Sequence, residues 1–473
     1  MSTPTPTLDF TNIQGDILEG LAKKFETFVF FAITDATHFR QRLKAIIPLI
    51  TSTTQALANS KAIADHKANG NCDLLKLVGT NIAFSQTGLT ALGIEDNVGD
   101  TLFSKGQLAD ASDGVNGLGD PGVVNGSTVD PAWEPAFKEK GLPHGCILIT
   151  GESKATISER LQEIETKLAG TVKTITQVDG NVRPGTEAGH EHFGFQDCLS
   201  QPPVIGFREP NTGEQPTEPG DILIGEQGDE PDNGVTRPTW TKDGSFLVFR
   251  KLRQFVPEFN EFLAKNPILD NGLTPAQGSE LLGARLMGRW KSGAPIDRDP
   301  TADNLTDAKD VNKVNDFDYS DDLTAQVRCP FTAHLRKTNP RASVHPGLTN
   351  VQKNRRIIRQ GIPYGPEVDS EEAQTHTSKH DRGLLFVCYQ SNISNGFSFI
   401  QKSWSNNPNF PATGSGFDAI IGLNIDNPRV TTGMDPQNVT TSLALPQQLF
   451  VAPRGGEYFL SPSISALKTI FLA

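Results

Sequence analysis

Phe25-Glu26-Thr27-Phe28-Val29-Phe30-Phe31-Ala32-Ile33 is a run dominated by aromatic and β-branched residues, which reads as a buried strand. Asp35 follows it as the cap of a helix carrying Phe39, Leu43, Ile46 and Ile47, until Pro48 interrupts. A short strand is expected at 81–85 and a Gly-rich acidic loop from about 95 to 143. The run 145–150 is the next strand. Residues 153–168 then place apolar side chains at 157, 161, 164 and 168, a helical stripe. Residues 171–178 alternate apolar and polar, as a half-exposed strand does. The order β-α-β-β-α-β is the ferredoxin-like plan.

The second half offers a weaker version of the same parts. Strands are expected at 245–252 and 384–389, and helices at 257–263 and 279–290. Polar insertions near 209–243 and 295–325 separate them. With 473 residues, the chain exceeds one ordinary core. The reading is an α+β protein of two ferredoxin-like domains, 1–205 and 206–473.

A formal charge of -12, with no dense Lys/Arg stripe, argues against nucleic acid as a partner. The five cysteines at 72, 146, 198, 329 and 388 form no C-x-x-C, which excludes a zinc ribbon, a thioredoxin-like motif and c-type haem attachment. Cys146 and Cys388 lie in strand-like runs and read as small core residues. No apolar stretch approaches the ~20 residues needed to span a membrane. The first seven residues show neither a basic start nor an apolar stretch of a secretory signal. Asn125, Asn304, Asn392 and Asn438 open N-x-S/T sequons, which carry little weight alone. G-x-S-x-G and H-E-x-x-H are absent, so a hydrolase is poorly supported.

Three segments concentrate chemistry. The first is Gly194-Phe195-Gln196-Asp197-Cys198-Leu199-Ser200-Gln201-Pro202-Pro203, with His190 and His192 upstream. The second is Arg328-Cys329-Pro330-Phe331-Thr332-Ala333-His334-Leu335-Arg336-Lys337-Thr338-Asn339-Pro340-Arg341. The third is Arg355-Arg356-Ile357-Ile358-Arg359-Gln360-Gly361-Ile362-Pro363-Tyr364-Gly365. Taken singly, a lone His is more often structural than a ligand, and a lone Asp more often a turn residue. The Arg cluster reads as a solvated helix face.

Together the segments resemble the dye-decolourising peroxidases, in order and over nearly the full length. Asn12-Ile13-Gln14-Gly15-Asp16-Ile17-Leu18 is similar to the opening of the family's fungal branch. Gly194-Phe195-Gln196-Asp197 fits the G-x-x-D-G signature, and Gly288-Arg289-Trp290-Lys291-Ser292-Gly293-Ala294-Pro295 fits its central block. His334 and Arg359 fall in the two remaining blocks. One departure is visible: Cys198 stands at the last Gly of G-x-x-D-G, so a positive φ there would strain it and shift Asp197.

The resemblance implies tandem ferredoxin-like domains, with non-covalent haem b in the C-terminal one and the Asp197 loop reaching its distal side. It implies His334 as the iron's axial ligand, Asp197 as the base that shuttles the peroxide proton and Arg359 as the fixed charge beside it. Asp418 is the candidate partner for the His334 ring, ahead of Asp426. Arg341 and Arg336 are candidates for the haem propionates. Tyr364 and Trp404 match positions where family members carry an oxidisable residue at the surface for bulky substrates. The implied reaction reduces hydrogen peroxide and oxidises dyes, phenols and related aromatics. The many acids also leave room for an oxygen-rich Mn²⁺ site whose ligands the sequence does not single out. Monomer and homodimer both stay open, and the fungal resemblance implies secretion. Two rival readings are a haem-handling protein with little turnover, and a secreted binding module without haem.

Overall fold

The computed structural model describes residues 7–139, 141–269, 272–343, 355–423 and 428–473. Nine strands form one antiparallel sheet: β1 (Phe25–Ile33), β2 (Val78–Phe84), β3 (Gly145–Gly151), β4 (Val172–Asn181), β5 (Ser245–Gln254), β6 (Ile358–Arg359), β7 (Ile362–Tyr364), β8 (Gly383–Gln390) and β9 (Val451–Ser461). The first four are ordered β4-β1-β3-β2 and the others β9-β5-β8, with β6 and β7 both on the far side of β8. Each half therefore repeats one strand order, the ferredoxin-like one expected. The halves join where Leu460 of β9 pairs Phe84 of β2.

The outer strands also approach each other. A side chain on Gly180 of β4 would collide with Ile362 of β7, so glycine's missing Cβ lets the sheet curl toward closure. Phe28 and Phe30 fill the interior against Phe249 of β5, the Phe30 and Phe249 rings lying 4.8 Å apart. Alternation sends Phe31 the other way, onto Phe39 of helix α1 (Ala36–Leu43) and Phe84. The same alternation puts Glu26 on the inward face. Asp35 caps α1 by accepting the His38 N–H at 2.9 Å.

After α2 (Thr53–Ala68) and α3 (Lys154–Leu168) of the first half, α4 (Val256–Lys265) and α5 (Pro275–Met287) lie beneath the second half-sheet and build a second core with Phe193, Phe195, Ala419 and Ile420. The expected helix 279–290 thus starts earlier, at the Thr274 cap, and ends at Met287, where Gly288 turns left-handed; Trp290 lies beyond it. The 95–143 stretch is not a plain loop. It holds short helices at Thr101–Lys105 and Gln107–Ala111 and a hairpin of Gly122–Asn125 with Thr128–Pro131. All five cysteines are unpaired. Among the described residues, no helix is long and apolar enough to cross a membrane.

Candidate active site

A cavity of about 290 Å³ lies between the second half-sheet and the helices below it. Leu252 on β5, Leu384 and Phe386 on β8, Met287 at the end of α5, and Ile420 and Ile421 give it apolar walls. Its polar lining includes Asp197, His334, Arg341, Arg355, Arg356 and Arg359.

His334 opens the five-residue helix α6 (His334–Thr338). Its Nδ1 lies 2.9 Å from Asp418 Oδ2, and Asp418 is wholly buried. Asp418 Oδ1 accepts the N–H groups of Ile420 and Ile421 at 2.8 and 3.0 Å. Burial alone would raise the Asp418 carboxyl, but the His334 ring and these donors bring it below its ordinary value. With the carboxylate fixed, Nδ1 is engaged and Nε2 is the ring nitrogen left to the cavity. Asp426 lies outside the described residues.

Asp197 sits on the loop after β4, and Arg359 ends β6. Asp197 Oδ1 accepts from Arg359 Nη1 and from the Cys198 N–H, each at 2.6 Å. The two side chains are 26% and 29% exposed, an exposure that faces the cavity they line. Burial pushes the Asp197 carboxyl up, but the Arg359 charge, together with the hydrogen bonds from the Cys198 N–H and Arg359, brings it below its ordinary value. Burial likewise works against the Arg359 charge, and Asp197 offsets it, so Arg359 is raised. Arg359 Nη2 also donates to the Ser200 carbonyl at 3.3 Å. Cys198 has φ +61°, the left-handed backbone that its glycine counterpart adopts freely, yet Asp197 still meets Arg359. Burial, then the Asp197 charge, pushes the Cys198 thiol up to about 11, so it stays protonated.

Arg341 lines the cavity, with its guanidinium 3.8 Å from the Phe317 ring centre and donating to the Asn315 carbonyl. Arg336 does not line it. It is fully buried beside Asp322, between the Tyr319 and Phe331 rings, and bonds the Asp322 and Cys329 carbonyls. Its expected place at the cofactor's carboxylates is therefore corrected: short range puts it on the other face of α6. Tyr364 and Trp404 are not at the surface either, being 5% and 4% exposed. Tyr364 donates to Asp381, and Trp404 stacks flat on Phe410. His192 is buried on the Tyr364 carbonyl, and burial lowers it to about 4, which leaves it neutral.

Arg289, Arg355 and Arg356 line the cavity but escaped the sequence. Arg356 reaches the cavity and donates to Asn339 Oδ1 at 2.8 Å. Arg289 of the central block ties Ser200 Oγ, Asn315 and two carbonyls together beneath the Asp197 loop. Among the described residues, Asp369, Glu372 and His380 have metal-ligand spacing. Both Glu372 oxygens are already taken, by Arg382 and by backbone N–H groups, so the set is a structural knot.

Two family models match the chain: the DyP dimeric alpha+beta barrel domain over residues 12–184 and the Dyp-type peroxidase C-terminal model over 226–410. A dye-decolorizing peroxidase of Mycetinis scorodonius is 45% identical, with 98% of this chain and 88% of that protein covered. The solved structure of an ancestral D-type dye decolorizing peroxidase is 55% identical, with 99% and 100% covered and a TM-score of 0.91. A dye-decolorizing peroxidase solved in complex with 2,6-dimethoxyphenol is 42% identical, with 98% and 100% covered and a TM-score of 0.86.

Proposed function

The chain belongs to the dye-decolourising peroxidase family and is a peroxidase, and we propose that this cavity is where it reduces hydrogen peroxide while oxidising dyes and phenols. The cofactor of this reading is haem b, held without a covalent bond. The residues fit such a group. His334 Nε2 would hold the iron, and Leu252, Met287, Phe386 and Ile420 would enclose the ring. Arg341, Arg355 and Arg356 would face its two carboxylates; Arg355 Nε is a buried donor without a partner among the described residues. Bound haem would supply the iron that takes up peroxide and stores two oxidising equivalents.

The rest falls to the side chains. Asp197 Oδ1 is occupied by two donors, so Oδ2 is the oxygen that takes the peroxide proton and returns it to the departing oxygen. Arg359 keeps Asp197 ionised and keeps its own charge at any working pH, which stabilises negative charge on that departing oxygen. Asp418 holds the His334 ring in one orientation and, by accepting from Nδ1–H, makes the other nitrogen a stronger donor.

The observation that carries the reading is the meeting of the Asp197–Arg359 pair and the Asp418-backed His334 in one cavity. Asp197→Asn and Arg359→Leu are each expected to lower kcat/KM for hydrogen peroxide by about 10²–10⁴-fold while haem is retained. Haem-loaded wild type that barely reacts with peroxide would instead favour a haem-handling protein.

A further inference from the structure

Arg359 and Gln360 form a dipeptide whose every backbone polar group has a partner. The Arg359 N–H donates to Gln201 Oε1 at 3.1 Å, and the Arg359 carbonyl accepts from Gln201 Nε2. The Gln360 N–H donates to the Val387 carbonyl at 2.9 Å. The Gln360 carbonyl accepts from Lys23 Nζ at 2.7 Å. Of these four bonds the last alone uses a charged donor.

Lys23 is held in turn by Glu26 Oε2, also at 2.7 Å. Glu26 is buried on the inward face of β1, where its Oε1 finds no partner among the described residues. Asp16 lies in the same buried group. It accepts from Tyr389 Oη at 2.8 Å, and Tyr389 pairs in register with Ile358, beside Arg359. Asp16, Cys146 and Tyr389 are the other titratable groups that interact with Glu26, and Cys198 joins Glu26 and Asp16 around Lys23. Burial first, against the Lys23 charge, pushes the Glu26 carboxyl up to about 7. A buried pair with an unsatisfied oxygen is a poor source of stability, because apolar side chains of similar volume serve as well or better. The pair is better accounted for by what Lys23 holds.

We propose that Lys23, steadied by Glu26, is a positioning residue for the peroxide step: through the Gln360 carbonyl it fixes the backbone that aims Arg359 at Asp197. The proposal rests on the role given to Arg359 above. It also gives the N-terminal half a second hand in a site whose arginine belongs to the other half. Misplacing a catalytic group by about 1 Å can cost on the order of 100-fold in rate, so a single anchoring bond is enough to matter.

The test uses the haem-loaded full chain with Lys23→Met/Glu26→Leu, an apolar pair of similar volume. Its unfolding temperature should be unchanged or higher. Its kcat/KM for hydrogen peroxide should fall by about 10–100-fold, with KM for the reducing substrate unchanged. Amide hydrogen exchange over 357–362 should quicken, and Lys23→Arg should restore most of the rate. Wild-type peroxide kinetics with wild-type exchange over 357–362 would overturn the proposal. Should the double variant not fold, Lys23→Gln carries the same comparison. Arg359→Leu run in parallel separates the two ideas: if it too leaves the peroxide step intact, the reading of Arg359 fails first.

Discussion

Cys198 occupies a left-handed backbone next to the proposed base. That conformation costs a side-chain-bearing residue about 1–2 kcal/mol, while glycine brings about 0.5–1 kcal/mol of extra chain entropy to lose. Cys198→Gly is therefore expected to stabilise the protein by roughly 0.5–1 kcal/mol in chemical denaturation. The pH response belongs to Asp197. Its carboxyl lies below the ordinary 3.8 because the Arg359 charge and the hydrogen bonds it accepts together outweigh burial. A lowered value means the ionised base persists as pH falls, so the peroxide rate should survive below pH 3.8 and vanish only lower still. Arg359→Leu removes the charge that most opposes burial and should move that loss to higher pH in stopped-flow measurements. Asp418→Asn should lower haem affinity or peroxide reactivity by about 10–100-fold, read by haem titration and the same kinetics. At this scale the motifs located His334, Asp197, Arg359, Arg341 and Asp418, all within or beside one cavity. They misjudged Arg356, because three nearby arginines resemble a solvated helix face, whereas the chain there is not helical and leads into β6. They also misjudged Tyr364 and Trp404, since exposure depends on packing partners such as Phe410 that lie outside the local motif.

Among the elements, β1, β3 and β4 and the helix after Ser153 follow directly from hydrophobic period. The helix Thr53–Ala68 buries only Thr53 and Ala56 and so shows no apolar stripe, although Ser52 and Gln55 form a capping box that marks its start. The 95–143 hairpin is announced by Asn125-Gly126, a dipeptide suited to tight turns that also opens a sequon. β9 went unread because Pro453, Gly455 and Gly456 interrupt its alternation. The structure absorbs them in a register shift between Pro453 and Gly455, on a strand end paired to β5. Closure of the sheet gives this scale its prediction. Gly180→Val would drive a side chain into Ile362 and is expected to cost about 1–3 kcal/mol, seen as a lower unfolding temperature.

For the whole molecule, the repeated strand order makes two similar halves, and the cavity is lined by residues that follow the first half's last strand as well as by the second half. Asp197 lies on the loop after β4, while Arg359 ends β6 and His334 opens α6. A ligand bound only by the folded form stabilises it by about 2.7 kcal/mol at 100 times Kd, so haem should raise the unfolding temperature of the full chain. The central claim is that His334 holds a haem on which peroxide reacts. The most direct test is the absorption spectrum of haem-loaded wild type and His334→Ala, before and after one equivalent of hydrogen peroxide. Wild type should show a ferric haem band that changes rapidly on mixing, and His334→Ala should fail to retain haem. A wild-type protein that takes up no haem, or a His334→Ala variant that binds haem and reacts as wild type does, would contradict it.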